Sequence, residues 1–159
     1  MSAVDALALR RIAGRFATGV TVVTTVHRDS LCGITVNSFT TVSLRPPLVL
    51  ISIAKRARAH ACLEGSGRFA VNVLAEGQEH LARLFASLAD DKFAGLRNRL
   101  SPSGQPLLTG THAWLDREIA SRRGGGRTHT LYTASVTAVG AGRGRPLLFH
   151  RRAYASLAR

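Results

Sequence analysis

The residues best suited to chemistry lie between Gly33 and Ile53, in the run G-I-T-V-N-S-F-T-T-V-S-L-R-P-P-L-V-L-I-S-I. Asn37, Ser38, Thr40, Thr41 and Ser43 crowd an amide and four hydroxyls into one short polar segment. A barrel core has no need of them so closely spaced. A planar heteroaromatic ligand, whose edge alternates carbonyls with ring nitrogens, does: hydroxyls, an amide and main-chain N–H groups match such an edge. Lys55, Arg56 and Arg58 come directly after the apolar Leu48–Ile53 run. The end of a buried strand can aim a cation cluster rather than merely expose it.

Strands must hold that segment. Ile34 to Phe39 reads as extended, Pro46-Pro47 cannot donate ladder hydrogen bonds and marks a pairing break, and Leu48 to Ile53 reads as a buried strand. Upstream, Val4, Leu7, Ile12 and Phe16 recur at near-helical spacing behind Ser2, a capping candidate, which predicts an amphipathic helix to about Ala17, ended by Gly19. Val20 to Val26 predicts a strand, His27 to Ser30 a turn, and Leu31 the start of a partner strand. Further on, a short helix is predicted over Arg58–Leu63, a strand over Phe69–Leu74, and a helix over Glu76–Ala86 with Leu81, Leu84 and Phe85 on one side. Ser87 to Gly110 reads as surface loops around an Asp91-Lys92-Phe93 turn. His112–Ile119 and Thr128–Val139 alternate as strands across a flexible Arg122–Arg127 connection, and Leu147–Phe149 is the last strand expected. Many strands, few helices and hairpin connections favour an antiparallel barrel over a Rossmann sheet. No G-x-G-x-x-G opens a helix after a strand.

Composition narrows the classes. A chain of 159 residues, 45% hydrophobic, is expected to form one domain over 1–159. No apolar run approaches the ~20 residues of a membrane helix, and the N-terminus lacks the pattern of a secretory signal, so a soluble cytoplasmic protein is expected. Cys32 and Cys62 fit neither a zinc knuckle nor a C-x-x-C pair and are expected as buried free thiols. The six histidines are scattered, and no metal site is expected. The formal charge is +13, and only Lys55 and Lys92 of the 22 basic residues are lysines. The arginines form no long block and have few interleaved aromatics, which argues against specific nucleic-acid binding and for a solvated basic surface. Attraction of anionic cofactors or docking on an acidic partner are the alternatives. No carboxylate pair suits hydrolysis, and no G-x-S-x-G elbow occurs.

Six segments stand in one order: Phe16–Thr24, Gly33–Ile53, Gly67–Leu74, Asp91–Gly95, His129–Tyr132 and Arg145–Phe149. Together they resemble the flavin reductase family, FMN-binding split barrels that supply reduced flavin to two-component monooxygenases. The likeness covers nearly the whole chain. It implies a mainly β antiparallel split barrel with a few short helices, and a homodimer with flavin near the subunit contact. It also implies an NAD(P)H:flavin oxidoreductase using NADH or NADPH, with FMN preferred and FAD or riboflavin as alternatives, serving a separate oxygenase. In this resemblance Asn37, Ser38, Phe39 and Thr40 lie against the isoalloxazine ring with Ser43 nearby. Lys55, Arg56 and Arg58 hold the ribityl phosphate, and His129 is the catalytic residue beside the nicotinamide.

The chain departs from the family pattern in three places. Ala54 replaces an Asn, Arg56-Ala57-Arg58 replaces a run of hydroxyls, and Thr128 stands where an Asp precedes the His. Phosphate binding would then rest on charge-assisted forks. Plain structural readings stand beside these roles: Thr41 and Ser43 satisfying their own turn backbone, a solvated basic turn at Lys55–Arg58, and a surface His129. The second functional reading is a flavin-binding or polyanion-binding protein without turnover.

Overall fold

The computed structural model describes residues 4–158. Along the chain come α1 (Ala6–Ala13), β1 (Thr18–Gly19), β2 (Thr21–His27), β3 (Ser30–Val36), β4 (Thr40–Leu44), β5 (Pro47–Ala54), α2 (Arg58–Ser66) and β6 (Arg68–Val73). A short 3-10 turn at Glu76–Gln78 leads into α3 (Glu79–Ala86). Then follow β7 (Asn98–Leu100), β8 (Pro106–Leu108), β9 (Ala113–Gly125), β10 (His129–Ala141), β11 (Leu148–His150) and β12 (Ala153–Ala155). The fold is mainly β. Seven strands make one antiparallel sheet in the order β3-β2-β6-β9-β10-β5-β4. Its two outer strands, β3 and β4, do not pair with each other, so the sheet is not closed into a ring. No described helix is long and apolar enough to cross a membrane.

β2 separates two apolar clusters because both of its faces are covered. Val22 packs with Leu74, Leu81, Phe85, Phe93 and Leu108 beneath α3. Val23 packs with Ile51, Ile53, Leu63, Phe69 and Tyr132 on the side of α2. Threonines fit inside such a strand only if their hydroxyls are bonded. Thr24 donates to the carbonyl of Pro106, and Thr25 to that of Arg68. Fully buried Asn72 on β6 ties three segments: its amide donates to Val22 O at 3.1 Å and Thr24 Oγ1 at 3.0 Å, and its carbonyl accepts from Leu108 N at 2.8 Å.

Those contacts overturn the expectation of loose surface loops over Ser87–Gly110. Within it β7 and β8 form a hairpin whose Pro106, Leu107 and Leu108 are buried. The Arg122–Arg127 connection is likewise not a flexible loop, since β9 and β10 stay paired as far as Gly125 and His129. Backbone pairing to a 13-residue neighbour overrides the weak strand propensity of its arginines and glycines. The first helix is shorter than expected. Asp5 caps it, accepting from Leu7 N at 3.3 Å, and it ends at Ala13 because Thr18–Gly19 pairs with β11. Ser2 lies outside the described residues.

Cys32 and Cys62 are not free thiols: they form a disulfide, with Cα atoms 6.5 Å apart. α2 packs on β2 and β3, and this long-range docking brings Cys62 to Cys32 across 30 positions of sequence. Arg117 on β9 is the oddity of the interior. It is fully buried, and its three guanidinium nitrogens have no hydrogen-bond partner among the described residues. Its guanidinium lies over the ring of Phe39, 5.4 Å from the ring centre. Burial pushes the Arg117 pKa down to about 9, against the opposing pull of Asp116.

Candidate functional site

β5 and β10 run antiparallel with Ala54 opposite His129, Ser52 opposite Leu131 and Leu50 opposite Thr133. Directly opposed residues share a face. Val49, Ile51 and Ile53 enter the core, so the other face, carrying Leu50, Ser52 and Ala54, stays half-buried. Thr40 on β4 lies opposite Leu50 and joins that row. Ser38 is fastened to it: Ser38 Oγ donates to Ser52 O at 2.9 Å and accepts from Ser52 N at 3.0 Å. Thr40, Ser38 and His129 thus border one strip of sheet, although they are far apart in sequence.

The strip leads at Ala54 to a cavity of about 700 Å³. Its walls are Leu31–Ile34 of β3, the Ala54–Ala59 segment without Lys55, Phe85 and the loop after α3, and Lys92-Phe93. Gly33 is required there, because a Cβ would meet the Phe85 ring at 2.5 Å. Arg56, Arg58 and Lys92 bring three cations to the walls and Asp90 one carboxylate. Arg58 approaches Asp90 at 3.6 Å, and Lys92 Nζ donates to the carbonyl of Phe85 at 3.0 Å. Burial first, then the Arg58 guanidinium, holds the Lys92 ammonium below its ordinary pKa. α2 begins in this wall. Its N-cap is Ala57, which offers no side-chain acceptor, so the first turn keeps main-chain N–H groups for an anion.

The residues singled out in sequence are placed unequally. Arg56 and Arg58 line the cavity; Lys55 does not, but its N–H donates to Thr128 O at 2.8 Å and ties the loop to the β9–β10 turn. Asn37 is exposed at the strip's edge. Phe39 packs against the core cluster and under Arg117, so only its main chain faces the strip. Ser43 Oγ accepts from Arg45 N at 3.2 Å, which is a turn role. Thr40 Oγ1 reaches only Thr41 O, at 3.5 Å. Thr128 Oγ1 lies 2.8 Å from His129 Nδ1, so a hydroxyl takes up the ring-orienting place expected of an Asp. Lys92 was missed. Asp91 Oδ1 accepts from the N–H groups of Phe93 and Ala94 at 3.1 Å each, and an Asp that bonds its own following backbone was the available sign of a fixed turn.

The flavin reductase like domain matches residues 13–158. The chain belongs to this family. It is 42% identical over 156 residues to the flavin-dependent monooxygenase reductase subunit HsaB of Mycobacterium tuberculosis, covering 97% of this chain and 83% of the relative. It is 37% identical over 161 residues to an NADH-dependent flavin reductase of a Rhodococcus species, covering 97% and 88%. Among solved structures, Streptomyces globisporus C-1027 NADH:FAD oxidoreductase SgcE6 in complex with NAD and FAD fragments superposes with a TM-score of 0.91 at 40% identity. That match covers 97% of this chain and 93% of the other. For a flavin reductase relative, a cationic cavity at the end of a half-open sheet face suits a ligand with an anionic tail and a planar head.

Proposed function

We propose that this protein is an NAD(P)H-dependent flavin reductase, an oxidoreductase that prefers FMN and passes reduced flavin to a separate flavin-dependent monooxygenase. The observation that carries the reading is the cavity at Ala54: three cations and an uncapped helix end meet the half-buried strip of sheet. Flavin, when bound, would supply hydride acceptance from a nicotinamide, the one piece of chemistry the side chains here do not provide. The residues present fit that group. Arg56, Arg58, Lys92 and the first turn of α2 hold the phosphate, replacing with charge the hydroxyls expected there. Main-chain N–H groups around Asn37–Thr40 meet the polar edge of the ring system, with the Ser38–Ser52 bonds keeping that segment rigid. His129, oriented by Thr128, positions the nicotinamide, and the protein's task is alignment and exclusion of water.

The reading extends to a single split-barrel domain over 1–159, assembled as a homodimer in the cytoplasm. A steady-state assay with NADH and NADPH against riboflavin, FMN and FAD tests the function. NADH oxidation that depends on added flavin and is most efficient with FMN is expected. Flavin binding without nicotinamide oxidation would leave only a carrier.

A further inference from the structure

The Cys32–Cys62 disulfide has no part in the reading above, yet it lies against the same cavity. Cys32 belongs to the β3 wall, between Leu31 and Gly33. Cys62 is four positions beyond Arg58 on α2, and residues four apart share a helix face. The bond therefore fastens the face of α2 that carries Arg58 onto β3. Other side-chain ties of α2 run elsewhere: His60 Nε2 lies 2.8 Å from Thr130 Oγ1 and Glu64 Oε1 accepts from Tyr132 Oη at 2.5 Å, both on β10, and Glu64 pairs with Arg122 of β9 at 3.5 Å. Cys32 is 9% exposed and borders the cavity, and Cys62 is half-buried, which leaves the sulfurs within reach of a small thiol.

We propose that Cys32–Cys62 is a reversible redox site that sets how tightly the cavity grips the flavin phosphate, a proposal that rests on the flavin reading above. A dithiol reductant attacks one sulfur and breaks the S–S bond. Two electrons and two protons pass from the dithiol to the pair, leaving two cysteine thiols here and a disulfide on the reductant. α2 then loses its covalent tie to β3 while Leu63 stays packed in the core, and Arg56, Arg58 and the first turn of the helix gain freedom to shift around the anion. An enzyme that draws on NAD(P)H works beside cellular dithiol reductants, and disulfides in such surroundings are characteristically redox-responsive rather than permanent.

The test uses the full chain. FMN and riboflavin dissociation constants are measured by flavin fluorescence quenching before and after anaerobic treatment with dithiothreitol, with thiols counted by alkylation and mass spectrometry. The proposal expects thiols to appear only after reduction, and FMN to bind about fivefold or more weakly then. Riboflavin, which lacks the phosphate, should change little. A Cys32→Ser/Cys62→Ser variant should show the weak FMN constant with or without dithiothreitol; the reduced wild-type chain supplies the same comparison if that variant does not fold. Free thiols before reduction, or an FMN constant unchanged after confirmed reduction, would overturn the proposal. So would equal weakening of both flavins. An oxidised protein that binds no flavin at all would overturn the functional reading as well, whereas tight binding without redox response defeats the redox site alone.

Discussion

Arg58 has one anionic neighbour among the described residues, Asp90. Its guanidinium lies 3.6 Å from Asp90, but both side chains are largely exposed, and such pairs contribute little. A phosphate in the cavity offers a stronger, charge-assisted partner. Arg58→Ala should therefore raise the FMN dissociation constant about tenfold, ~1.4 kcal/mol, and leave riboflavin nearly unaffected. Fluorescence titration with both flavins checks this, and equal losses would make the loop structural. His129 behaves differently, because it stands at the strip and does not line the cavity. His129→Ala should lower kcat/KM for NADH about tenfold while FMN affinity holds. Unaltered kinetics would return it to a surface role. Adjacency to a buried strand made Arg56 and Arg58 legible in sequence. Lys92 was not, because its place in the cavity depends on how the loop after α3 folds back toward β3. The hydroxyls of Ser38 and Ser43 looked like ligand contacts because their type fits a flavin edge, yet their nearest demands are backbone groups.

At the scale of elements, the β2–β3 hairpin and β5 were readable from β-branched runs, turn residues and alternation. The β7–β8 hairpin and the disulfide were not. Asn72 and Thr24 fix the first through bonds spanning 36 and 82 positions, and helix docking makes the second, so neither leaves a local pattern. Arg117 shows what such packing costs. A buried cation without hydrogen-bond partners is disfavoured, and the adjacent Asp116 and the aromatic face of Phe39 offset this only in part. Arg117→Met should stabilise the fold at neutral pH by about 1–4 kcal/mol. The pH dependence has a definite sign. The folded pKa, about 9, is below the ordinary guanidinium value, so the unfolded chain binds the proton more tightly and stability rises with pH between the two. The penalty is complete below pH about 9, and the advantage of the Met variant should shrink above it. Urea unfolding at neutral pH and at about pH 10 measures this, and a lower midpoint for the variant at neutral pH would show that Arg117 has a stabilising role.

At the scale of the molecule, the fold buries less apolar surface than the sequence supplies. α1 has no buried residue, and Leu7, Ile12 and Phe16 on or just after it are exposed, as is Leu44 of the outer strand β4 at 81%. A second copy is the natural cover for such surface. Light scattering should give the mass of a dimer, and a monomer with full activity would refute this. The charge of +13 was visible at once, but which arginines meet at the cavity is a property of the fold. The proposed role of the cavity and strip is flavin reduction. Its most direct test is anaerobic mixing of the protein with FMN and NADH, following flavin and nicotinamide absorbance together. Stoichiometric loss of both, much faster than without protein and slowed by His129→Ala, is predicted; bound FMN that keeps its visible absorbance while NADH stays intact would contradict the account.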